Sequence, residues 1–413
     1  METPILTRYL YHLTDVKFSL ISSLLKSEDI KEVLFWASEI YYSGYNNLLY
    51  NIIWKVYYDF YAITNPLLES QINKLKSQKM NQTTNCIVNK MKNLKIQETQ
   101  NIKLQITPLD IFDENEKFLI RLLNILFNID TIDYTVFELR FLNPLNPYEI
   151  IKKERKWLFK LKIELRKEKI ELLKIEELLL ISVYEENDNN IVYYLSRANR
   201  LDEIYIILKI FYIFVKGTIL NDNDNRNYLN IINYENKHHI ILSMICYFQL
   251  ELKEINKKLN IEEYNETKYC SYFKNTNNNC KNLQHKVLKN KREYSINPNI
   301  GCFLNTIYKK NRIFDKNDIL LNNWEYYCSF SPIWKERFIK YKCIFKNKTP
   351  IFANNDLLED FYKKYGYEPD EQNKETQLKS TKEIKENSVQ NWLNYVFNQE
   401  VEFSESIKYI KDY

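Results

Sequence analysis

Glycine is almost missing from this chain: 413 residues carry only Gly44, Gly217, Gly301 and Gly366. An average protein holds roughly 7%. Phosphate-cradling loops, nucleophile elbows and tight β-hairpins all lean on glycine. Their absence disfavours a common nucleotide-dependent enzyme, an elbow-type hydrolase and a many-stranded sandwich or barrel. Histidine is also scarce, at His12, His238, His239 and His285, which leaves few candidates for histidine-centred acid–base chemistry. No apolar run is long enough to cross a bilayer; the longest, Ile204 to Val215, is interrupted by Lys209. Seven scattered cysteines and no leader-like N-terminus predict free thiols in a reducing compartment. The net charge of +5 is small for this length, so nucleic-acid binding is permitted without being indicated.

Aromatic residues are abundant, with 33 Tyr, 22 Phe and 6 Trp. Many crowd into Leu34–Pro66, where apolar positions recur every three or four residues. That is the period of a helix with a buried stripe. The rings lie on nearly all sides, so the expectation is helices covered on two faces; an exposed binding groove is the alternative.

The expected fold is all-α: packed helical hairpins of HEAT-like, solenoid-like style with two polar loop insertions. It divides into a helical block at 1–75, a polar linker at 76–105, and a central helical block at 106–261. An Asn-rich polar segment at 262–300 and a C-terminal helical block at 301–413 complete it. Thr14–Asp15 and Ser27 are expected to cap the first two helices, Gly44 to close the second, and Asp113 to open a later one. Pro147 suits the first turn of a helix. Residues 157–165 alternate like a strand, but their Glu-, Lys- and Leu-rich flanks favour a helix broken once.

Candidate chemistry is thin. Cys270, Cys280, His285 and Cys302 offer zinc-ligand types, but no two lie on one tight turn, so free thiols and no metal are expected. Glu368, Asp370 and Glu371 in YGYEPDEQ read as a helix start or an acidic partner loop. Lys152, Lys153, Arg155 and Lys156 open a basic run reaching Lys169 that could follow a phosphate backbone, although glutamates share the helix.

The strings FWASEIYYSGY and YYDFYAITNP near the start, and WEYYCSFSPIWKERFIKY and DFYKKYGYEPDEQ near the end, resemble an uncharacterised protein family of mimivirus-like giant DNA viruses. The resemblance implies a viral product in host cytoplasm, in the viral factory or the virion. It supplies no activity, cofactor or catalytic residue. The expected role is a non-enzymatic scaffold or adaptor for viral or host proteins, without a membrane or small-molecule substrate. The alternative is a nucleic-acid-associated helical scaffold resembling those of translation initiation. Trp334, Arg337, Glu368, Asp370 and Glu371 are the expected partner contacts, because they lie in the distinctive C-terminal strings.

Overall fold

The computed structural model describes residues 5–65, 68, 114–129, 132–139, 146–150, 154–197, 266–278 and 318–365, with short pieces at 206–207, 210–211, 213–214, 242–243, 295–296, 386–387, 394 and 396–397. These residues are helix-dominated. In chain order the helices are α1 (Leu13–Lys26), α2 (Ile30–Tyr42), α3 (Asn46–Val56), α4 (Glu114–Phe127), α5 (Thr135–Leu139) and α6 (Lys156–Lys167). Then come α7 (Lys174–Tyr184), α8 (Asp188–Ser196), α9 (Glu266–Asn278), α10 (Trp324–Cys328), α11 (Pro332–Lys340) and α12 (Asn355–Tyr365). Strands β2 (Ile344–Lys346) and β3 (Thr349–Ile351) form an antiparallel hairpin, and β1 (Ser295–Ile296) pairs in parallel with β4 (Glu386–Asn387).

The start is a folded-back loop. Leu13 donates its backbone N–H to Ile5 and Thr7 to Tyr11, and Leu6 and His12 form an antiparallel bridge. His12, not Thr14–Asp15, caps α1, its Nδ1 accepting the Thr14 N–H at 3.3 Å. Ser27 ends α1 in the left-handed region, and Asp29 caps α2 through the Lys31 N–H. The shift is local: Asp29 lies two residues nearer the helix, where its carboxylate reaches a free N–H. Gly44 closes α2 at φ +92°, as expected. The third helix continues past Val56 as a π-turn over Tyr57–Tyr61, with the Ala62 N–H bonded to the Tyr57 carbonyl. One extra residue in that turn rotates the aromatic face.

Most of these rings are core. Trp36, Tyr41, Tyr57, Tyr58, Phe60 and Tyr61 are buried, and Phe35, Tyr42, Tyr50 and Trp54 pack against them. Helices α1, α2, α4 and α9 pack together, while α5 closes on the π-turn. Helix α9 is a departure from expectation, since 262–300 reads as a polar insertion. Its Cys270 and Phe273 are fully buried, and the Phe273 ring meets Tyr41 and Tyr42 at 5.7 and 5.4 Å. Few apolar residues suffice because they fall on one side of a helix that α2 and α4 already flank.

Residues 156–167 are helical, and the break comes at Glu168–Leu173 before α7. Pro147 does not open a helix. Its neighbourhood runs non-helically and is held by Asn190, whose Oδ1 accepts the Tyr148 N–H at 2.6 Å and whose Nδ2 donates to the Tyr148 carbonyl at 3.1 Å. The C-terminal block contains the β2–β3 hairpin, so the fold is helix-dominated without being all-α. The polar linker at 76–105 lies outside the described residues.

Candidate functional site

The distinctive strings from the two ends of the chain meet in space. At the close of α2, Gly44 faces the start of α11 so closely that a Cβ on it would sit 2.6 Å from the Pro332 Cβ. Beside it the Ile333 N–H donates to the Ser43 carbonyl at 3.4 Å. Trp334 is 0% exposed, and its Nε1 donates to the Thr7 carbonyl at 3.0 Å. The expected contact role for Trp334 therefore does not fit this fold; the ring is the buried pin between the N-terminal loop and the C-terminal block. Arg337 is half-buried, its guanidinium lying 4.4 Å from the Trp334 ring and 4.6 Å from that of Tyr365. Glu368, Asp370 and Glu371 lie outside the described residues.

Under this seam sits a buried ion pair that the sequence reading missed. Arg8 donates from Nε to Glu39 Oε2 at 2.8 Å, with side chains 1% and 0% exposed. Its Nη2 donates to Ser38 Oγ at 3.2 Å, and the Tyr9 N–H donates to Glu39 Oε1 at 2.9 Å. The Arg8 guanidinium also faces the Tyr9 and Tyr42 rings at 4.6 and 4.9 Å. Tyr42 in turn donates to Glu116 at 2.9 Å, and burial followed by that carboxylate drives its phenol far above the usual range. Glu39 is committed to Arg8 and the Tyr9 N–H, and Arg8 to Glu39 and the Ser38 hydroxyl, so the group ties the N-terminal loop to α2.

The Asp318–Tyr327–Lys348 group is similarly settled. Lys348 donates to Asp318 Oδ2 at 2.9 Å and to the Tyr327 hydroxyl at 2.8 Å, and Tyr327 donates to Asp318 at 2.7 Å. The hydrogen bond from Lys348, then that from Tyr327, holds the Asp318 carboxyl below the usual range; the bonds to Tyr327 and then Asp318 raise Lys348. Neither is poised as a base near neutrality. Cys328 and Cys343 are buried thiols pushed up by that burial, Cys343 to about 11, so neither is an activated nucleophile. Cys270 belongs to the core, and Cys280, His285 and Cys302 lie outside the described residues. Among the described residues no group of three His, Cys, Asp or Glu side chains could hold a metal.

Two surfaces remain conspicuous. On α6 only Leu161 and Leu165 are buried. The opposite side carries Phe159 and Ile163, 69% and 39% exposed, flanked by the exposed Lys156, Lys160, Arg166 and Lys167. Lys152 and Lys153 lie outside the described residues. Arg155, expected to face phosphate, instead donates to Glu185 at 2.6 Å, and Lys162 and Lys167 pair with Glu177 and Glu164. Over 152–197 the sequence holds eleven Lys/Arg and nine Asp/Glu, a net charge of only +2. The second surface is the outer face of the hairpin, where Ile344 and Ile351 pair across the strands at 67% and 42% exposure.

No family model, curated protein or solved structure matches the chain. Among the described residues no helix is long and apolar enough to cross a membrane.

Proposed function

We propose that the chain is a non-enzymatic scaffold of HEAT-like helical hairpins that binds a protein partner, acting as a viral product in host cytoplasm or in the particle. The observation that carries the binding role is the outer face of α6. A fully folded helix there keeps a Phe and an Ile in water, flanked by cations, on the side opposite its own core stripe. Full burial of a Phe or Ile side chain stabilises by roughly 1.5–3 kcal/mol; a docked partner recovers most of that at Phe159 and the smaller uncovered share at Ile163. The helical hairpins α1–α2 and α7–α8 are the units such a scaffold would stack.

The nucleic-acid reading is less well supported on this surface. A polyanion is drawn by net positive field, and the segment around α6 carries only +2 over 152–197. A backbone following the helix would also meet Glu154 at one end and Glu168 and Glu171 at the other.

The test is a photo-crosslinking residue at position 159 of the full chain, activated in cells of the native host. A discrete protein adduct that disappears with Ile163→Ser supports the scaffold. Adducts made only with RNA or DNA, or no adduct from a folded protein, reject it.

A further inference from the structure

Around the axis of α6 successive residues turn by about 100°. Leu161 and Leu165 mark the buried side, and Ile163 falls opposite them. Phe159 and Arg166 lie to one side of Ile163, and Lys156, Lys167 and Lys160 to the other, all six exposed. Glu164 stands at the rim of this arc and pairs with Lys167 at 2.6 Å, both side chains more than half in water. The side chains of Lys156, Lys160 and Arg166 make no ion pair among the described residues. Exposed acids bound the patch along the chain, Glu154 before it and Glu168 and Glu171 after it. From Lys156 to Lys167 the helix rises about 16 Å, or about three turns.

This pattern of a small apolar centre, cations on both sides and acids at both ends selects among occupants. A phosphate backbone would leave Phe159 and Ile163 uncovered and run on into the bounding glutamates. A bilayer takes helices with a broad apolar face, and here two apolar side chains are all the outer arc offers. An extended peptide docks through main-chain hydrogen bonds to a sheet edge, whereas the backbone groups within a helix are already bonded to each other. A second helix arrives with its own backbone satisfied and packs side chain against side chain.

We infer that the outer face of α6 binds an acidic amphipathic helix of the partner protein, about three turns long. Apolar residues spaced three and four apart on that helix cover Phe159 and Ile163, and carboxylates beside them meet Lys156, Lys160 and Arg166. The apolar contact supplies most of the affinity and the flanking charge the choice of partner. The inference rests on the scaffold reading and specifies the chemistry of its partner.

The probe is a fluorophore-labelled, end-blocked peptide, Glu-Ala-Leu-Glu-Glu-Leu-Leu-Glu-Ala-Leu-Glu-Glu-Leu-Leu-Glu-Ala, titrated with the full chain. Saturable binding is expected. It should weaken at least about tenfold when Gln replaces every Glu of the peptide, and as much when proline stands at its centre. The variant Lys156→Glu/Lys160→Glu/Arg166→Glu, its fold checked by circular dichroism, should transfer preference to the Lys-for-Glu peptide. Equal binding of the Glu and Gln peptides would overturn the acidic partner, and undiminished binding of the proline peptide would overturn the helix. Anionic lipid vesicles or a single-stranded oligonucleotide that displace the peptide and bind better would assign the face to a bilayer or to nucleic acid, overturning it. A dimer in sedimentation that Phe159→Glu disperses would assign it to a second copy, with the same consequence. Failure of the peptide while position 159 still crosslinks to a protein sinks this inference alone; the scaffold reading falls when no protein adduct forms.

Discussion

Glu138 shows how a single residue can make stability depend on pH. Its side chain is 5% exposed in α5, and Oε1 has no hydrogen-bond partner. Burial first, then the nearby charges of Asp133 and Asp188, pushes its carboxyl from 4.5 to about 8. The folded state therefore keeps a proton that the unfolded chain releases near 4.5. The contribution is complete below that value and is lost as pH rises toward 8. The loss is at most about 1.4 kcal/mol per pH unit. Glu138→Gln keeps the shape and removes the titration. Urea midpoints at pH 5 and pH 8.5 should show the variant gaining on the parent at the higher value; parallel profiles would refute the buried, protonated carboxyl.

At the scale of the element, the shortage of glycine reappears as backbone strain. Helix α6 ends with Lys169 at φ +58° and α7 with Glu186 at φ +52°. In each case the helix-closing bonds are those usually arranged around glycine: Ile170 to Leu165 and Lys169 to Arg166, then Asn187 to Ser182 and Glu186 to Val183. A left-handed L-residue costs about 1–2 kcal/mol, and glycine loses roughly 0.5–1 kcal/mol of that through the freer unfolded chain. Lys169→Gly and Glu186→Gly should each raise stability by about 0.5–1 kcal/mol, read from chemical unfolding. The helix closures were legible as positions where the apolar period breaks. The β2–β3 hairpin was not, because its turn uses Asn347–Lys348 instead of the usual glycine and its strands are three residues long. No period-2 alternation marks it either, since Cys343, Ile344 and Phe345 are apolar in succession.

For the whole molecule the decisive contact is the seam between Gly44 and Pro332. Gly44→Ala adds a methyl 2.6 Å from Pro332 Cβ at a φ of +92°, so both space and conformation oppose it. The expected cost is about 1–3 kcal/mol. Hydrogen exchange should show Trp324–Tyr365 losing protection ahead of α1 and α2, and Pro332→Gly in the same chain should return part of it by reopening the space. Equal loss across both regions would mean that the C-terminal block is not held by this seam. Trp334 shares the same dependence, since the carbonyl that accepts its indole N–H belongs to Thr7. Its place in a distinctive string marked it as important without revealing why.

The sequence alone determined the helical character, the glycine close of α2 and the commitment of the aromatic cluster to the core, because local spacing and backbone freedom govern these. Tertiary packing decided the rest. It brought Thr7 and Ser43 to Pro332 and Trp334, buried Arg8 against Glu39, turned a polar segment into core helix α9, and left Phe159 and Ile344 facing water. Which apolar side chains find cover depends on neighbours hundreds of residues away, and no local period encodes that distance.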